Sequence, residues 1–394
     1  MAHDVPLPRL GAFDHDGFAQ VREVASTDAR ITARRWRDFE QRGRITAWDA
    51  LAACAAEPNP FYESWYLLPA LRALASDEDV QMLMLETNGQ IAGLLPVRRE
   101  RDYYGYPLPH LRNWVHPNCF LGLPLVARGF ERQFWRALFK YCDANPGTSL
   151  FLHLMQVPAN GPLHEALVQV LAQDKRPAAT VHREERAMLA STASPEEYLE
   201  GSLSAKKRKE LRRQHRRLSD EGKLTFERLT DYTDIAVWTR EFLSLEARGW
   251  KGNAGSAMDS DGATSSLFTY AIAGAAARGR LERLSLRLDG KPIAMLANFL
   301  TPPGAYAYKT AFDEAYSRFS PGVLLQRENL AMLDRADIEW IDSCAAEDHP
   351  MIDHIWRERR TIARHSFGIG GSLRRMLFRA IARRETGQPG GGIL

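Results

Sequence analysis

Residues 281–300 read LERLSLRLDGKPIAMLANFL, two apolar runs on either side of Asp289-Gly290. A two-residue Asp-Gly linker between such runs favours the tight turn of a β-hairpin, because both turn residues adopt positive φ. Some two hundred residues earlier, 80–100 read VQMLMLETNGQIAGLLPVRRE, with Asn88-Gly89 in the same place. The turns NGQIAGLL and DGKPIAMLA resemble each other, so the chain reads as a tandem of two similar units.

The flanking segments repeat as well. In the second half a strand fits 224–229, and helices fit 235–248 and 265–277 ahead of the hairpin. After it come a strand over GAYAYKTAFD (304–313), the loop RFSPG (318–322) and a helix over 323–334. EWIDSCA (339–345) is the next strand, 351–360 the next helix, and TIARHSFGI (361–369) a last strand. In the first half a strand fits 30–36, helices fit 47–56 and 64–76, and a third strand falls within 110–126 after the hairpin. A helix over 131–142, a buried strand SLFLHLMQV (149–157), a helix over 163–172 and a strand over 178–189 close that half. The halves join near Ser194-Pro195-Glu196-Glu197, which supplies an N-cap, a proline at the first helical position and acids in the first turn. This predicts an N-terminal segment (1–28), a first domain (29–193), a second (194–371) and a C-terminal helix and tail (372–394). The fold class is α/β of the α+β type: tandem units, each a mixed, mostly antiparallel sheet flanked by helices. The order of elements does not alternate strand and helix, which argues against Rossmann and barrel architectures.

A chain of 394 residues with 45% hydrophobic and 26% charged residues suits two or three globular domains and excludes wholesale disorder. No apolar run approaches the ~20 residues of a spanning helix, and the acidic, proline-bearing start lacks a signal-peptide core. Four widely spaced cysteines without a CxxC pair fit a reduced, cytoplasmic protein and no zinc site. GxGxxG opening a helix, GxxxxGK[ST], HExxH and GxSxG are all missing, which removes most nicotinamide, nucleotide, zinc-protease and hydrolase readings. Net charge is only +3, but 206–217 read KKRKELRRQHRR and 357–384 hold nine arginines against Glu358 alone. Such concentrated basic segments fit an anionic partner.

Four stretches carry a family resemblance: SLSAKKRKELRRQHRRL (202–218), EARGWKG (246–252), LDGKPIA (288–294) and YAYKTAFDEAYSRFSPGVLL (306–325). Together with the order of elements, they resemble the CelD-like branch of the GNAT acyl-CoA N-acyltransferases, whose members have a FemAB-like tandem arrangement. The resemblance covers roughly 194–365, and the first half only by element order and hairpin. It implies acyl-CoA as co-substrate, no metal, and transfer of an acyl group to an amine. It places the cofactor at Arg318, Ser320, Pro321, Gly322 and Val323. There a helix N-terminus suits a pyrophosphate and Arg318 adds charge; a plain helix-initiating turn is the alternative. Tyr308, Lys309 and Asp313 are the catalytic and positioning candidates, with Trp250, Lys251 and Glu314 on the substrate. A Lys309–Asp313 salt bridge holding the loop is an equal alternative. His116, in NWVHPNCF, sits on the corresponding strand of the first half and is a candidate general base. Asp342, Glu347 and His349 compete with it.

The helix over 206–217 is a solvated face, a site for CoA phosphates, or a contact for anionic lipid. In SLRRMLFRAIARRE (372–385), Leu373, Met376, Leu377, Ala380 and Ile381 form a stripe with arginines largely off it. That pattern suits a membrane-interface helix or a core-docked terminal helix. The basic segments tilt the acceptor toward a lipid amine, and bacterial ceramide synthases, which N-acylate a sphingoid base, are similar to this group. The expected protein is cytoplasmic, and peripheral on the inner face of the membrane. Rival readings are acetylation of an amino sugar in exopolysaccharide synthesis, a FemAB-like protein using tRNA, and a non-catalytic phosphate-binding scaffold. One working acyl-CoA pocket is expected, in the second half, because only that half has the strand–RFSPG–helix arrangement.

Overall fold

The computed structural model describes residues 29–76, 78–248, 262–349, 351–387 and 391–392. Both hairpins form as the Asx-Gly pairs dictate. β2 (Gln81–Thr87) and β3 (Gln90–Glu100) close with Thr87 opposite Gln90, around Asn88 at φ 50° and Gly89 at φ 75°. β9 (Leu281–Leu288) and β10 (Lys291–Thr301) close with Leu288 opposite Lys291, around Asp289 at 49° and Gly290 at 78°. Positive φ at both turn positions gives the twist that adjoining strands need.

In the first half β1 (Arg30–Arg35) leads to α1 (Arg42–Ala53) and α2 (Ser64–Leu74), then the hairpin, β4 (His110–Asn113) and β5 (Leu125–Val126). α3 (Glu131–Ala144), β6 (Phe151–Pro158), α4 (Pro162–Gln173) and β7 (Ala178–Leu189) follow. Ser194 then starts α5 (Pro195–Ser202) with a complete capping box: its hydroxyl accepts from Glu197 N–H while Glu197 reaches back to Ser194 N–H. α6 (Ala205–Asp220), β8 (Leu224–Leu229), α7 (Ile235–Arg248) and α8 (Gly262–Ala276) precede the second hairpin. After it come β11 (Gly304–Phe312), α9 (Pro321–Asn329), β12 (Trp340–Asp342), β13 (Glu358–Gly368) and α10 (Ser372–Thr386).

The strands form one sheet, in the order β1-β2-β3-β4-β6-β13-β7-β12-β11-β10-β9-β8. Read from either end, the order is the same series of equivalent elements, except that the halves have exchanged their last strands. β13, from the second half, lies antiparallel between β6 and β7; β7, from the first, lies between β13 and β12. The strand over 178–189 therefore joins the two halves instead of closing the first. The expected helix over 351–360 is corrected too: Met351–Ile355 are turns, and from Glu358 the chain is strand. Ile352, Ile355 and Trp356 bury into the second core. Ladder pairing of Glu358–Phe367 with β7 then outweighs the local helical pattern.

At the centre of the exchange Asp342 on β12 is fully buried. It holds Arg360 of β13 (Nη1 to Oδ2, 3.1 Å) and Arg186 of β7 (Nη1 to Oδ1, 3.4 Å). Arg186 also donates to the Phe120 carbonyl at 2.8 Å and to Gln156 at 3.0 Å. Removing Asp342 would take from Arg360 its carboxylate and leave Arg186 only Glu184, at 3.3 Å, as a counter-charge. Asp342→Ala is expected to lower stability by about 3–5 kcal/mol in urea denaturation. A loss under about 1 kcal/mol would mean that water, not this carboxylate, satisfies the two arginines.

Candidate functional site

Parallel strands β11 and β12 pair only from Gly304–Trp340 to Tyr306–Asp342. Past that point Cys344, at φ 54° with its N–H bonded to Asp342 at 2.8 Å, turns the chain away. The two strands therefore splay. On its other side β11 pairs Ala297 with Lys309 but Asn298 with Ala307, so Tyr308 is an extra residue, a β-bulge at the mouth of the splay. A bulge re-aims side chains. The Lys309 ammonium accordingly lies 5.4 Å from the centre of the Phe120 ring and 5.9 Å from that of Tyr308.

Tyr308 is buried and its hydroxyl is 3.2 Å from that of Tyr66 on α2 of the first half. Tyr66 donates to the Asn118 carbonyl, so Tyr308 is the donor to Tyr66. Around it stand Phe299 (ring centres 4.4 Å apart), Phe61 and Phe120 (both 6.1 Å) and Phe268 (6.2 Å). Burial pushes both phenol pKa values up, so both hydroxyls keep their protons. His116 stacks on Tyr66 at 6.0 Å and lies against Trp114 at 5.2 Å. It follows β4 in a loop and is not on the strand, as the sequence had suggested. Its Nδ1 accepts from Asn118 N–H at 3.3 Å, which leaves the ring proton on Nε2, and Nε2 is buried with no partner among the described residues. Burial, then the charge of Lys309, pushes the pKa of His116 down to about 3. The ring is neutral and better arranged to donate from Nε2 than to accept a proton at Nδ1.

The structure thus brings together His116, Tyr308 and Lys309. Tyr308 and Lys309 lie within β11 rather than after it. It sets Asp313 and Glu314 apart. Asp313 caps the short 3-10 helix Glu314–Phe319 by accepting from Ala315 N–H at 3.0 Å, and Glu314 lies in that helix's first turn. Trp250 and Lys251 lie outside the described residues. Sequence reasoning missed Tyr66, Asn118 and the phenylalanines, because FYESWYLL carries no motif and its role comes only from packing against the other half.

In RFSPG, Ser320 takes left-handed φ (52°) and Pro321 opens α9. Val323 and Leu324 N–H both donate to the Ser320 carbonyl, at 2.9 and 3.0 Å, and Pro321 has no N–H. The helix start therefore presents fewer free donors than its sequence suggests. A Cβ on Gly322 would meet Met351 Sδ at 2.8 Å, so this glycine serves close packing. Arg318 is exposed, lies over the Phe319 ring and pairs with Glu221 at 3.0 Å. Between this loop and α6 runs an open groove of about 420 Å³, lined by Arg213, Arg217 and Arg318 and by the carboxylates of Glu210, Asp220 and Glu221. Two of its guanidinium groups are already paired, Arg213 with Glu210 at 2.7 Å and Arg318 with Glu221.

The first half has the equivalent splay, between β4 and β6, but it is filled. Asn113 accepts from Met155 N–H and donates to the Gly122 and Met155 carbonyls, each at 2.9 Å, while Gly122 N–H bonds to Gln156.

Residues 205–349 match the family model of the acetyltransferase (GNAT) domain. GNAT domains are acyl-CoA-dependent N-acyltransferases, and the match spans the bulged strand, the splay and α9. No curated protein matches the chain. Among solved structures, a protein of unknown function from Bacteroides thetaiotaomicron shares the fold at TM-score 0.54 and 13% identity, over 82% of this chain and 97% of that one. FemX does so at TM-score 0.53 and 9% identity, over 86% and 98%. At these identities the likeness is one of fold: both halves together, not the second alone, correspond to those chains.

His116 gives a pH test. With a folded pKa of about 3 against an ordinary 6.5, only the unfolded chain takes up the proton between those values. Stability should therefore fall as pH drops through that window, with His365, also held at about 3, adding in the same direction. Imidazole NMR at about pH 5 should still show a neutral His116; titration near its ordinary value would contradict the buried, Lys309-facing placement.

Proposed function

We propose that this protein transfers an acyl group from acyl-CoA, bound along the β11–β12 splay and the α6–RFSPG groove, to a lipid amine of the sphingoid-base kind. The observation that carries the transfer is the bulged Tyr308 at the mouth of the splay, within the segment that matches the GNAT model. The lipid acceptor is supported by the basic segments, the lysines and arginines of α6 and the arginines of α10, which suit an anionic lipid surface. A lipid acceptor would also bring the protein to a membrane surface.

In the proposed reaction the neutral amine attacks the thioester carbonyl, a C–N bond forms, and the C–S bond breaks as the tetrahedral intermediate collapses. The amine loses a proton and the departing thiolate gains one. His116 Nε2–H and the Lys309 ammonium are the donors proposed for the oxyanion, in a water-poor site where such donors count most. Tyr308, whose O–H is donated to Tyr66 before substrate binds, is proposed to release that bond and donate to the leaving sulfur instead. Arg213, Arg217 and Arg318 would exchange their carboxylate partners for CoA phosphates.

A thermal-shift and thiol-release screen tests this directly: acetyl-CoA and long-chain acyl-CoAs, each with a sphingoid base, an amino sugar or buffer. Melting should rise with long-chain acyl-CoA, and thiol should appear only with the sphingoid base. Release with acetyl-CoA and the sugar would move the acceptor to polysaccharide chemistry. No response to any CoA ester, with salt-sensitive tRNA binding, would replace the transfer reading by a FemAB-like one. Tyr308→Phe should cost kcat on the order of 10²-fold with little change in KM for acyl-CoA. Arg213→Ala with Arg217→Ala should instead raise that KM and spare kcat; the opposite split would remove the groove from the CoA site.

A further inference from the structure

α10 docks on the sheet through Phe378 and Ala382, and of the apolar stripe that its sequence shows only Ile381 reaches that contact. Phe378 and Ala382 are buried, packed with Phe151, Tyr103 and Ala179. Arg374 donates to the Ser149 and Gly147 carbonyls at 2.6 and 2.8 Å, and Arg375 pairs with Asp143 at 2.8 Å. Glu385, the helix's one acid, is exposed, and its carboxylate accepts from Tyr103 O–H at 2.9 Å. The helix is thus held by its inner face, and the outer face is left over. Leu373, Met376 and Leu377 stand 73%, 59% and 45% exposed there, on one stripe at i, i+3 and i+4. Arg379, Arg383 and Arg384 are exposed beside them.

Three large apolar side chains do not remain in water on a well-packed helix without cost. The stripe spans only about 6 Å of a helix about 22 Å long, and the whole outer face of that helix covers about 200 Å², far below the ~800 Å² per partner of a stable protein interface. An interfacial helix, by contrast, needs only a single face: apolar side chains entering the acyl boundary and basic ones at the headgroups. Every charge on this outer face is positive, which is complementary to anionic phospholipid. No helix among the described residues is long and apolar enough to cross a membrane, so contact through α10 would be along a surface. We infer that the outer face of α10 is a docking surface for an anionic phospholipid bilayer, with Leu373, Met376 and Leu377 inserted and Arg379, Arg383 and Arg384 at the headgroups.

The inference needs no acyl transfer, and its test uses neither CoA nor amine, so its failure would leave the proposed reaction standing. The full chain is sedimented with vesicles of phosphatidylcholine alone and with vesicles one-third phosphatidylglycerol. Binding to the anionic vesicles only is expected, weakened by salt. The triple variant L373S/M376S/L377S should lose at least about tenfold in affinity, and R379E/R383E/R384E likewise. Because all six side chains are exposed, the melting temperature of each variant should stay within about 2 °C of the parent, and that is checked alongside. Equal vesicle binding by the parent and the triple serine variant would overturn the inference. So would a dimer in sedimentation velocity that L373S/M376S/L377S abolishes, since a second copy would then cover the face.

Discussion

Asp342 ends β12, and its two oxygens meet guanidinium groups from both exchanged strands, Arg186 of β7 and Arg360 of β13. Burying three charges is expensive, and apolar packing of the same volume is often as stable. What the triad adds is register: β7 and β13 can slide along each other only by pulling an arginine off Asp342. That register in turn sets the splay, because Cys344 takes its left-handed turn with its N–H on the same carboxylate. Arg186 reaches the Phe120 carbonyl as well, and so places the ring against Tyr308 and Lys309. Burial and the neighbouring charges push in opposite senses on Arg186, and its proton is held more tightly than usual.

The exchange of strands also explains why the site draws on both halves. Tyr306 donates to the Pro58 carbonyl at 2.8 Å and Tyr308 to Tyr66, so one face of β11 is sealed by the segment that opens α2. A second half cut away at Ser194 would lose β7, Tyr66, His116 and Phe120 together. The two splays differ in what fills them. Where the second carries a bulge and aromatic walls, the first carries Asn113, whose amide satisfies the backbone of the opened strands as a bound ligand otherwise would. A single amide side chain is enough to convert a cleft into structure.

Local chemistry was legible in the sequence. Asn88-Gly89, Asp289-Gly290 and Ser194-Pro195-Glu196-Glu197 each fix backbone geometry within four residues, and each formed. So did α6 and β11, whose periods are strong. Three things were not legible, and each depends on a partner distant in the chain. Residues 351–360 carry a helix-compatible pattern, but Arg360 has its counter-charge on β12 and its ladder partner on β7. Tyr66 looks like one more core aromatic until β11 arrives opposite it. In α10 the apolar stripe Leu373, Met376, Leu377, Ala380 and Ile381 invites docking, yet Phe378 and Ala382 do most of it, with Ile381 at their edge, because Tyr103 and Phe151 offer an aromatic surface and Asp143 an anion at the right height. Hydrophobic spacing says that a helix has two unequal faces, and only the surface opposite decides which is inner.

The electrostatics of the cleft bear on how the proposed transfer would proceed without an ionised base. His116 is held neutral by burial and by Lys309, and the phenols of Tyr66 and Tyr308 are held protonated by burial. An amine entering this space meets a cation and apolar rings, and both disfavour its ammonium form. The same surroundings that make His116 a poor base would therefore lower the pKa of a bound amine toward the neutral nucleophile. Lys309, re-aimed by the bulge, would serve twice under this reading: it repels the proton from the incoming nitrogen and attracts the charge that develops on the carbonyl oxygen. Conversion of the ammonium to the nucleophile would then be completed on the way in, and the proton that the nitrogen sheds after attack would pass to the departing thiolate, leaving His116 and Lys309 to donate hydrogen bonds to the oxyanion.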